Sequence, residues 1–192
     1  MRNETLSEDA KHQLLVLARQ SVEAAVHHAS LPHLDLTNLA APLRENGASF
    51  VTLTEANGDL RGCIGALEAY QPLAVDVCVH AAAAATEDYR FLPVRADEIA
   101  HLHIEISRLT HPQPLDYEKP EELISLLRPG LDGVILRDGG QRATFLPQVW
   151  EKLPSPEEFL THLCQKMGSQ GSLWRKKKLQ VQVYQVEEFH EK

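Results

Sequence analysis

Three features of the sequence predict an α+β fold with a largely antiparallel sheet flanked by helices. The turn signals Asn57-Gly58 and Asp138-Gly139-Gly140 each separate two strand-like runs, which is typical of hairpins. Segments with apolar residues at helical spacing lie before, between and after these hairpins. The predicted order is helix, hairpin, helix, strand, helix, hairpin, helix, strand. Hairpins outnumber βαβ repeats in this order, so it favours an antiparallel sheet over a doubly wound fold.

Four helices are predicted from apolar periodicity and capping residues. The first begins after Ser7, a good N-cap that acidic residues follow, and its pattern ends before Pro32. The second begins near Pro72, and a short third helix covers Glu121 to Leu127. Ser155 opens a capping box for the fourth helix.

Strands are predicted where β-branched and aromatic residues cluster or alternate with polar ones. The predicted strands cover residues 50–54, 102–107, 133–137, 143–146 and a final strand at 179–183. Residues 31–47 are predicted to be an irregular linker. The segment Leu60-Arg61-Gly62-Cys63-Ile64-Gly65 falls on the second arm of the first hairpin or just past its end, and its glycines predict a turn.

Composition limits the classes of protein to which the chain can belong. Its 192 residues fit one large domain or one domain with two lobes, and 43% hydrophobic residues suffice for a buried core. A net charge of −8 disfavours a dedicated nucleic-acid binder, although Arg175 to Lys178 form a basic run. We see no signal peptide and no membrane span. Three cysteines do not form a disulfide framework, so the cytoplasm is the predicted location.

Cys63 is the sharpest candidate for chemistry. It lies between Gly62 and Gly65 and follows Arg61 closely, and a neighbouring cation favours the nucleophilic thiolate. Exposed N–H groups of a glycine-rich turn also bind anions or an oxyanion. The turn therefore predicts either a reactive thiol or a site for a small anionic ligand. The alternative is a buried thiol that packs beneath a tight turn.

Other polar residues give weaker signals. His80 and His111 are candidate bases for a Cys63 nucleophile, although neither lies in a recognisable catalytic signature. His101, His103 and Glu105 share one face of a predicted strand and could present ligands to a metal, but ordinary alternation produces the same pattern. No metal site is therefore predicted. With no P-loop, GxGxxG or HExxH motif, no cofactor is predicted either.

Asp88 and Arg90 follow the second predicted helix and are predicted to form an ion pair at its end. An exposed pair of this kind contributes little, about 0–1 kcal/mol. If the pair lines a pocket together with Arg61, it becomes a group that recognises a polar ligand.

Several ordered segments together resemble the AMMECR family, whose bacterial and archaeal members are called AmmeMemoRadiSam system protein A. The resemblance covers about residues 10–191, within one domain predicted to span residues 1–192. The matching segments are 50–53, 58–65, 81–85, 88–94, 104–110, 130–136, 146–150, 157–160, 163–168 and 187–189. Family members often carry Pro where this chain has Tyr89, and the region after Trp150 is shortened.

The resemblance implies two unequal lobes around a sheet, with a cleft between them. It places the turn around Cys63 and the residues Pro147 and Gln148 near that cleft. It also implies association with a Memo-type protein and a radical SAM protein. It implies no particular reaction.

Three functions compete at this point. The favoured one is a binding or accessory module that serves the Memo-type and radical SAM partners, because no base, metal set or cofactor motif accompanies Cys63. The alternative is a cysteine-dependent enzyme that uses Cys63 on a substrate in the cleft. The third, nucleic-acid binding, rests on the basic run from Arg175 to Lys178 and is opposed by the net charge.

Overall fold

The structure is a computed structural model that describes residues 5–191. The chain divides into two compact units, Met1–Leu109 with Glu187–Lys192 (unit 1) and Thr110–Val186 (unit 2). Unit 2 is therefore an insertion in the chain of unit 1.

The helices and strands confirm the predicted α+β class. The helices are α1 (Glu8–Val26), α2 (Ala41–Arg44), α3 (Leu73–Thr86), α4 (Leu123–Leu126), α5 (Pro156–Lys166) and α6 (Leu173–Lys176). The strands are β1 (Asn46–Thr54), β2 (Leu60–Gly65), β3 (Gln71–Pro72), β4 (His103–Leu109), β5 (Gln113–Pro114), β6 (Gly133–Asp138), β7 (Gln141–Phe145), β8 (Gln180–Tyr184) and β9 (Val186–His190). Short 3-10 helices cover Leu36–Asn38, Ile99–His101, Pro120–Glu122 and Pro147–Glu151.

Unit 1 contains a five-stranded sheet with the order β2-β1-β4-β9, and β3 pairs with the start of β1. β1 is antiparallel to β2, β3 and β4. Alternate residues such as Val51, Leu53, Ile104 and Ile106 are fully buried in one core with residues of α1 and α3. The two helices therefore cover one face of this sheet, and the opposite face carries the side chains at the intervening positions.

Unit 2 contains a four-stranded antiparallel sheet with the order β5-β8-β6-β7. Its core is built around α5, where Phe159 stacks on Trp150 with ring centroids 3.7 Å apart. The buried hydroxyl of Tyr117 donates to the carbonyl of Leu179 at 2.8 Å and accepts from its N–H at 2.7 Å. This contact fixes the segment after β5 to the start of β8.

Two capping side chains and one turn glycine explain where two of the confirmed helices begin and where the first hairpin turns. The Ser7 hydroxyl accepts from the N–H of Ala10, and the Ser155 hydroxyl accepts from the N–H of Glu158, as the caps predicted. Gly58 has a φ of +88°, which the first hairpin turn requires.

Four predicted boundaries were wrong. α1 ends at Val26, before the predicted limit at Pro32. The linker over residues 31–47 contains α2 and the start of β1. The third helix is a 3-10 turn followed by the single turn of α4. The strand near residues 179–183 is not the last, because β9 follows it and joins the sheet of unit 1.

Candidate functional site

Residues 60–65 form the edge strand β2, which confirms their predicted place on the second arm of the first hairpin, but they do not form the predicted turn. Cys63 lies opposite Thr52 of β1, and Gly65 lies opposite Phe50. The prediction of a turn was wrong because it took the glycines as sites of chain reversal. In the structure they are sites of close packing.

The two glycines are explained by what lies against them. A Cβ at Gly62 would overlap the carbonyl oxygen of Ala84 in α3. A Cβ at Gly65 would overlap the ring of Phe50 and the carbonyl oxygen of Ser49. Neither glycine has a positive φ. The sequence requires glycine here because a helix and a neighbouring strand approach the backbone, whether or not a ligand binds.

Asp88 and Arg90 occupy the open edge of β2 at Cys63. The N–H of Cys63 donates to Asp88 Oδ2 at 2.8 Å, and Arg90 Nη2 donates to the carbonyl oxygen of Cys63 at 3.3 Å. We call these two side chains the Asp88–Arg90 clasp. They supply the edge strand with the partners that a further strand would give it, which protects the edge from unwanted pairing.

The clasp is also bound internally. Arg90 donates to Asp88 Oδ1 at 2.9 Å through Nε and to Oδ2 at 2.6 Å through Nη2. The Arg90 guanidinium, together with the N–H groups of Cys63 and Arg90, holds the pKa of Asp88 well below its usual range, against the opposing effect of burial. The same carboxylate raises the pKa of Arg90. Asp88 is therefore a buried anion whose charge is matched by groups on the same short segment.

Arg61 fixes the chain that follows the clasp. Its guanidinium donates to the carbonyl oxygen of Leu92 at 2.9 Å and to that of Pro93 at 3.3 Å. It also forms an ion pair with Glu98 at 2.9 Å, and this contact lowers the pKa of Glu98. Each of the three guanidinium nitrogens donates to one of these groups. Arg61 is thus buried and engaged inside the protein.

The thiol of Cys63 has its own polar neighbours. The hydroxyl of Thr52 donates to Cys63 Sγ at 3.3 Å, and Cys63 is half-buried. Glu105 of β4 lies opposite Thr52 on its other side. Residues opposite each other in antiparallel strands share one face, so a thiol, a hydroxyl and a carboxylate form one row across three strands. Sequence reasoning missed Thr52 and placed Glu105 in a metal set, because only the strand register brings them together.

His80 does not reach this row. The Cβ direction of Gly62 points toward α3, so the side chain of the next residue, Cys63, points to the other face of the sheet. His80 lies in α3 and its Nδ1 is 3.1 Å from Asp76 Oδ2. The same carboxylate oxygen accepts from the Ser49 hydroxyl at 2.7 Å. His80 therefore belongs to a buried polar cluster between α3 and β1.

Three other predicted site residues lie elsewhere. His111, Pro147 and Gln148 belong to unit 2. Pro147 is buried and Gln148 is exposed in the 3-10 helix Pro147–Glu151. A location of Pro147 and Gln148 beside a cleft remains a prediction.

The segment that carries the clasp displays two large apolar side chains. Tyr89 is 94% exposed and Leu92 is 85% exposed, the highest values among the large hydrophobic residues that are exposed. The backbone beneath them is held by the N–H of Phe91, which donates to the carbonyl of Asp88, and by the contacts of Arg61. We call residues 88–93 the clasp loop. Within the described part of unit 1, neither side chain belongs to the hydrophobic core.

Residues 5–191 contain neither a cluster of metal-ligand side chains nor a helix that could span a membrane. In this part of the chain no three His, Cys, Asp or Glu side chains converge as metal ligands, and His101 precedes β4 in a 3-10 helix. Cys78 and Cys164 are buried, and burial raises the pKa of both thiols. None of the helices in the described range is long and apolar enough to cross a membrane.

The chain resembles known proteins along nearly all of its length. A family model described as AMMECR1 matches residues 15–189. A protein of Thermofilum pendens is 39% identical over 97% of this chain and 92% of its own length. A protein of Methanothermobacter thermautotrophicus is 38% identical over 100% of this chain and 99% of its own. The crystal structure of the uncharacterized protein PH0010 from Pyrococcus horikoshii is 30% identical, has a TM-score of 0.75, and matches 97% of this chain and 94% of that one.

Proposed function

The chain belongs to the AMMECR1 family, and we propose that it acts as a binding or accessory module for Memo-type and radical SAM partner proteins. The observation that carries the proposal is the exposure of Tyr89 and Leu92 on the clasp loop, where both are more than four-fifths accessible. Tyrosine is a typical anchor of protein interfaces, and Leu92 adds apolar area on the same loop.

The anchoring of the clasp loop supports this proposal. Asp88 binds the N–H of Cys63, and Arg61 binds the carbonyl groups of Leu92 and Pro93. A loop that is held in this way loses little conformational entropy when a partner binds. Large apolar side chains at two rigid positions then contribute directly to affinity.

The hydrogen bonds that already occupy the polar groups at β2 also favour a binding function over catalysis. An oxyanion site requires N–H groups that point at the substrate. The N–H of Cys63 is committed to Asp88, and the guanidinium of Arg61 is committed to Glu98 and two carbonyl groups. These groups therefore hold the backbone around β2 in place. A catalytic role would require their present hydrogen bonds to break.

Binding measurements with purified Memo-type and radical SAM proteins from the same genome test the proposal. We expect Leu92→Ala to weaken one of these complexes at least about tenfold, because burial of a leucine side chain contributes about 1.5–3 kcal/mol. Leu131→Ala is a matched control, because Leu131 is 58% exposed but lies in unit 2. Cys63→Ser should leave the affinity within about twofold of the wild-type value. Absence of micromolar binding to both proteins, or equal effects of the two leucine variants, contradicts the proposal.

A second candidate function is a cysteine-dependent enzyme, and the contact between Thr52 and Cys63 Sγ is the observation that favours it. A hydroxyl that donates to sulfur stabilises the thiolate, and the strand register puts Glu105 on the same face of the sheet, opposite Thr52. In this reading Cys63 is the nucleophile, Thr52 positions its sulfur, and the substrate lies on the open face of the sheet.

Site-resolved alkylation from pH 5 to 9 separates the two functions. An enzyme predicts that Cys63 keeps reacting well below pH ~8.5, the usual range of a free thiol, and that Thr52→Val abolishes this reactivity at low pH. A binding module predicts that Cys63 reacts only as the pH approaches that range, in the wild type and in Thr52→Val alike. Cys78 and Cys164 serve as internal references, because both are buried with raised pKa values.

A further inference from the structure

A large groove of unit 1 lies away from β2, between α1 and β9. It encloses about 1020 Å³ and is lined by residues of α1, of the start of β4 and of the end of β9. This volume lies at the upper end of the range of ligand sites, which is about 300–1,000 Å³. Unit 2 contributes no residue to its lining.

Contacts along α1 show how the groove arises. Near the start of the helix, Lys11 Nζ lies 3.4 Å from Glu187 Oε1. Two turns later, Arg19 Nε donates to Glu191 Oε1 at 2.9 Å. The helix therefore runs beside β9 in the same direction. Its outer face, which includes His12 and Val16, overhangs the edge of the strand and forms one wall of the groove.

β9 presents an open strand edge to this groove. It is the last strand in the order of its sheet. The N–H of Glu191 donates to the carbonyl oxygen of Ile104 at 3.0 Å, so the backbone of Glu191 faces β4. Because neighbouring residues of a strand direct their backbone groups to opposite sides, the N–H and C=O of His190 point away from β4. Outside the strand ladders, no backbone–backbone hydrogen bond to His190 occurs within residues 5–191.

The floor and the rim of the groove differ in chemistry. Leu102 and Phe189 are buried in the floor, and Val16 is 40% exposed on the wall. Both lining cations are engaged, since Arg19 pairs with Glu191 and Lys11 pairs with Glu8 and Glu187. Asp9 has no ion-pair partner within residues 5–191. The groove therefore combines an apolar floor with a rim on which one carboxylate, that of Asp9, has no cationic side chain as a partner in the described range.

Unit 1 as a whole is also negatively charged. Unit 1 has nine Lys and Arg residues against eighteen Asp and Glu, whereas unit 2 has ten against nine. Unit 1 therefore has a net charge of −9 and unit 2 a net charge of +1, so the field of the unit that carries the groove favours a basic partner.

We propose that this groove binds an extended segment of a partner protein, rich in alternating apolar and basic residues, which adds as a further strand to β9 beneath α1. Main-chain hydrogen bonds to His190 would hold the segment, and its alternate side chains would face the apolar floor and the acidic rim. This surface is separate from the clasp loop, so the proposal stands or falls independently of the function proposed above.

The test uses the full chain and a fluorescein-labelled probe peptide of four Val-Lys repeats, with four Val-Glu repeats as the charge control. We expect saturable binding of the Val-Lys peptide by fluorescence anisotropy, and slower amide hydrogen exchange in residues 188–191 when it is bound. Equal binding of the Val-Glu peptide, or no saturable binding of the Val-Lys peptide, would overturn the proposal.

Two variants locate the site. His190→Pro removes an outward N–H from an edge strand and should weaken binding about fivefold, the effect of one backbone hydrogen bond. Val16→Lys should weaken binding about tenfold or more through lost apolar contact and charge repulsion. Val79→Lys is the matched control, because Val79 is 38% exposed on α3 and does not line the groove. Its affinity should stay within about twofold of the wild-type value.

Two further results would overturn the proposal. Unchanged binding by both groove variants places the peptide elsewhere on the acidic unit. A concentration-dependent dimer that forms without peptide and is abolished by Val16→Lys shows that a second copy of this chain occupies the groove.

Discussion

Replacing Asp88 with Asn tests whether the Asp88–Arg90 clasp stabilises the edge of β2. The carboxylate accepts four hydrogen bonds, two at each oxygen, from the N–H of Cys63 and from the N–H, Nε and Nη2 of Arg90. An asparagine amide keeps the shape of the side chain but turns one of the two oxygens into a donor. Whichever oxygen is replaced, two accepted bonds are lost and the charge that matches Arg90 disappears.

The size of the effect follows from those bonds. A hydrogen bond to a charged group contributes about 1.5–3 kcal/mol. The Arg90 side chain is 43% exposed, so solvent screens its attraction to the carboxylate, whereas the Asp88 side chain is only 3% exposed. We therefore expect Asp88→Asn to lower the free energy of unfolding by about 2–4 kcal/mol, or the Tm by roughly 5–15 °C for a chain of this length.

Urea denaturation and hydrogen exchange at β2 measure the loss. Asp97→Asn is the matched control, because Asp97 also pairs with an arginine two residues away, but both side chains of that pair are about 70% exposed. Asp97→Asn should leave stability unchanged within error. If Asp88→Asn is as stable as the wild type, or no less stable than Asp97→Asn, the clasp does not hold the edge of β2.

The pH dependence provides an independent check. The folded-state pKa of Asp88 is lowered, so its contribution to stability is fully present above its unfolded pKa of about 4. That contribution is lost as the pH falls toward the folded-state value. The stability difference between wild type and Asp88→Asn should therefore be constant from about pH 5 to 8 and shrink below about pH 4. A difference that grows in acid would refute the assignment.

Two further predictions concern packing and burial. Gly62→Ala should destabilise the protein by about 1–3 kcal/mol, because the new methyl group meets the carbonyl of Ala84. In urea denaturation Gly140→Ala should be nearly neutral, because nothing lies within 4 Å of its Cβ position. Tyr117→Phe removes the hydroxyl that serves both backbone groups of Leu179 and should cost about 1–3 kcal/mol. An unchanged midpoint for Tyr117→Phe would show that water replaces the hydroxyl.

Short-range signals were enough for much of the fold. Ser7, Gly58 and Ser155 act within a few residues of themselves, so the helix starts and the first turn were predictable from sequence. The alternation of Ile104 and Ile106 fixed the buried face of β4 in the same way.

The candidate site depends on contacts that no local pattern encodes. Thr52 joins Cys63 to Glu105 only through the register of three strands. The partners of Arg61 are carbonyl groups about thirty residues away, which carry no side-chain signature. The glycines of β2 were misread because a close approach by a helix and a need for a turn both select glycine.

The order of the chain sets an order of assembly during synthesis. Every residue of unit 2 has been made once Val186 leaves the ribosome, whereas the sheet of unit 1 still lacks its last strand. Until Glu191 emerges, the Arg19 guanidinium in α1 has no carboxylate to bind. Synthesis of unit 1 therefore begins before that of unit 2 and ends after it. Unit 2 can fold while the sheet of unit 1 still lacks β9.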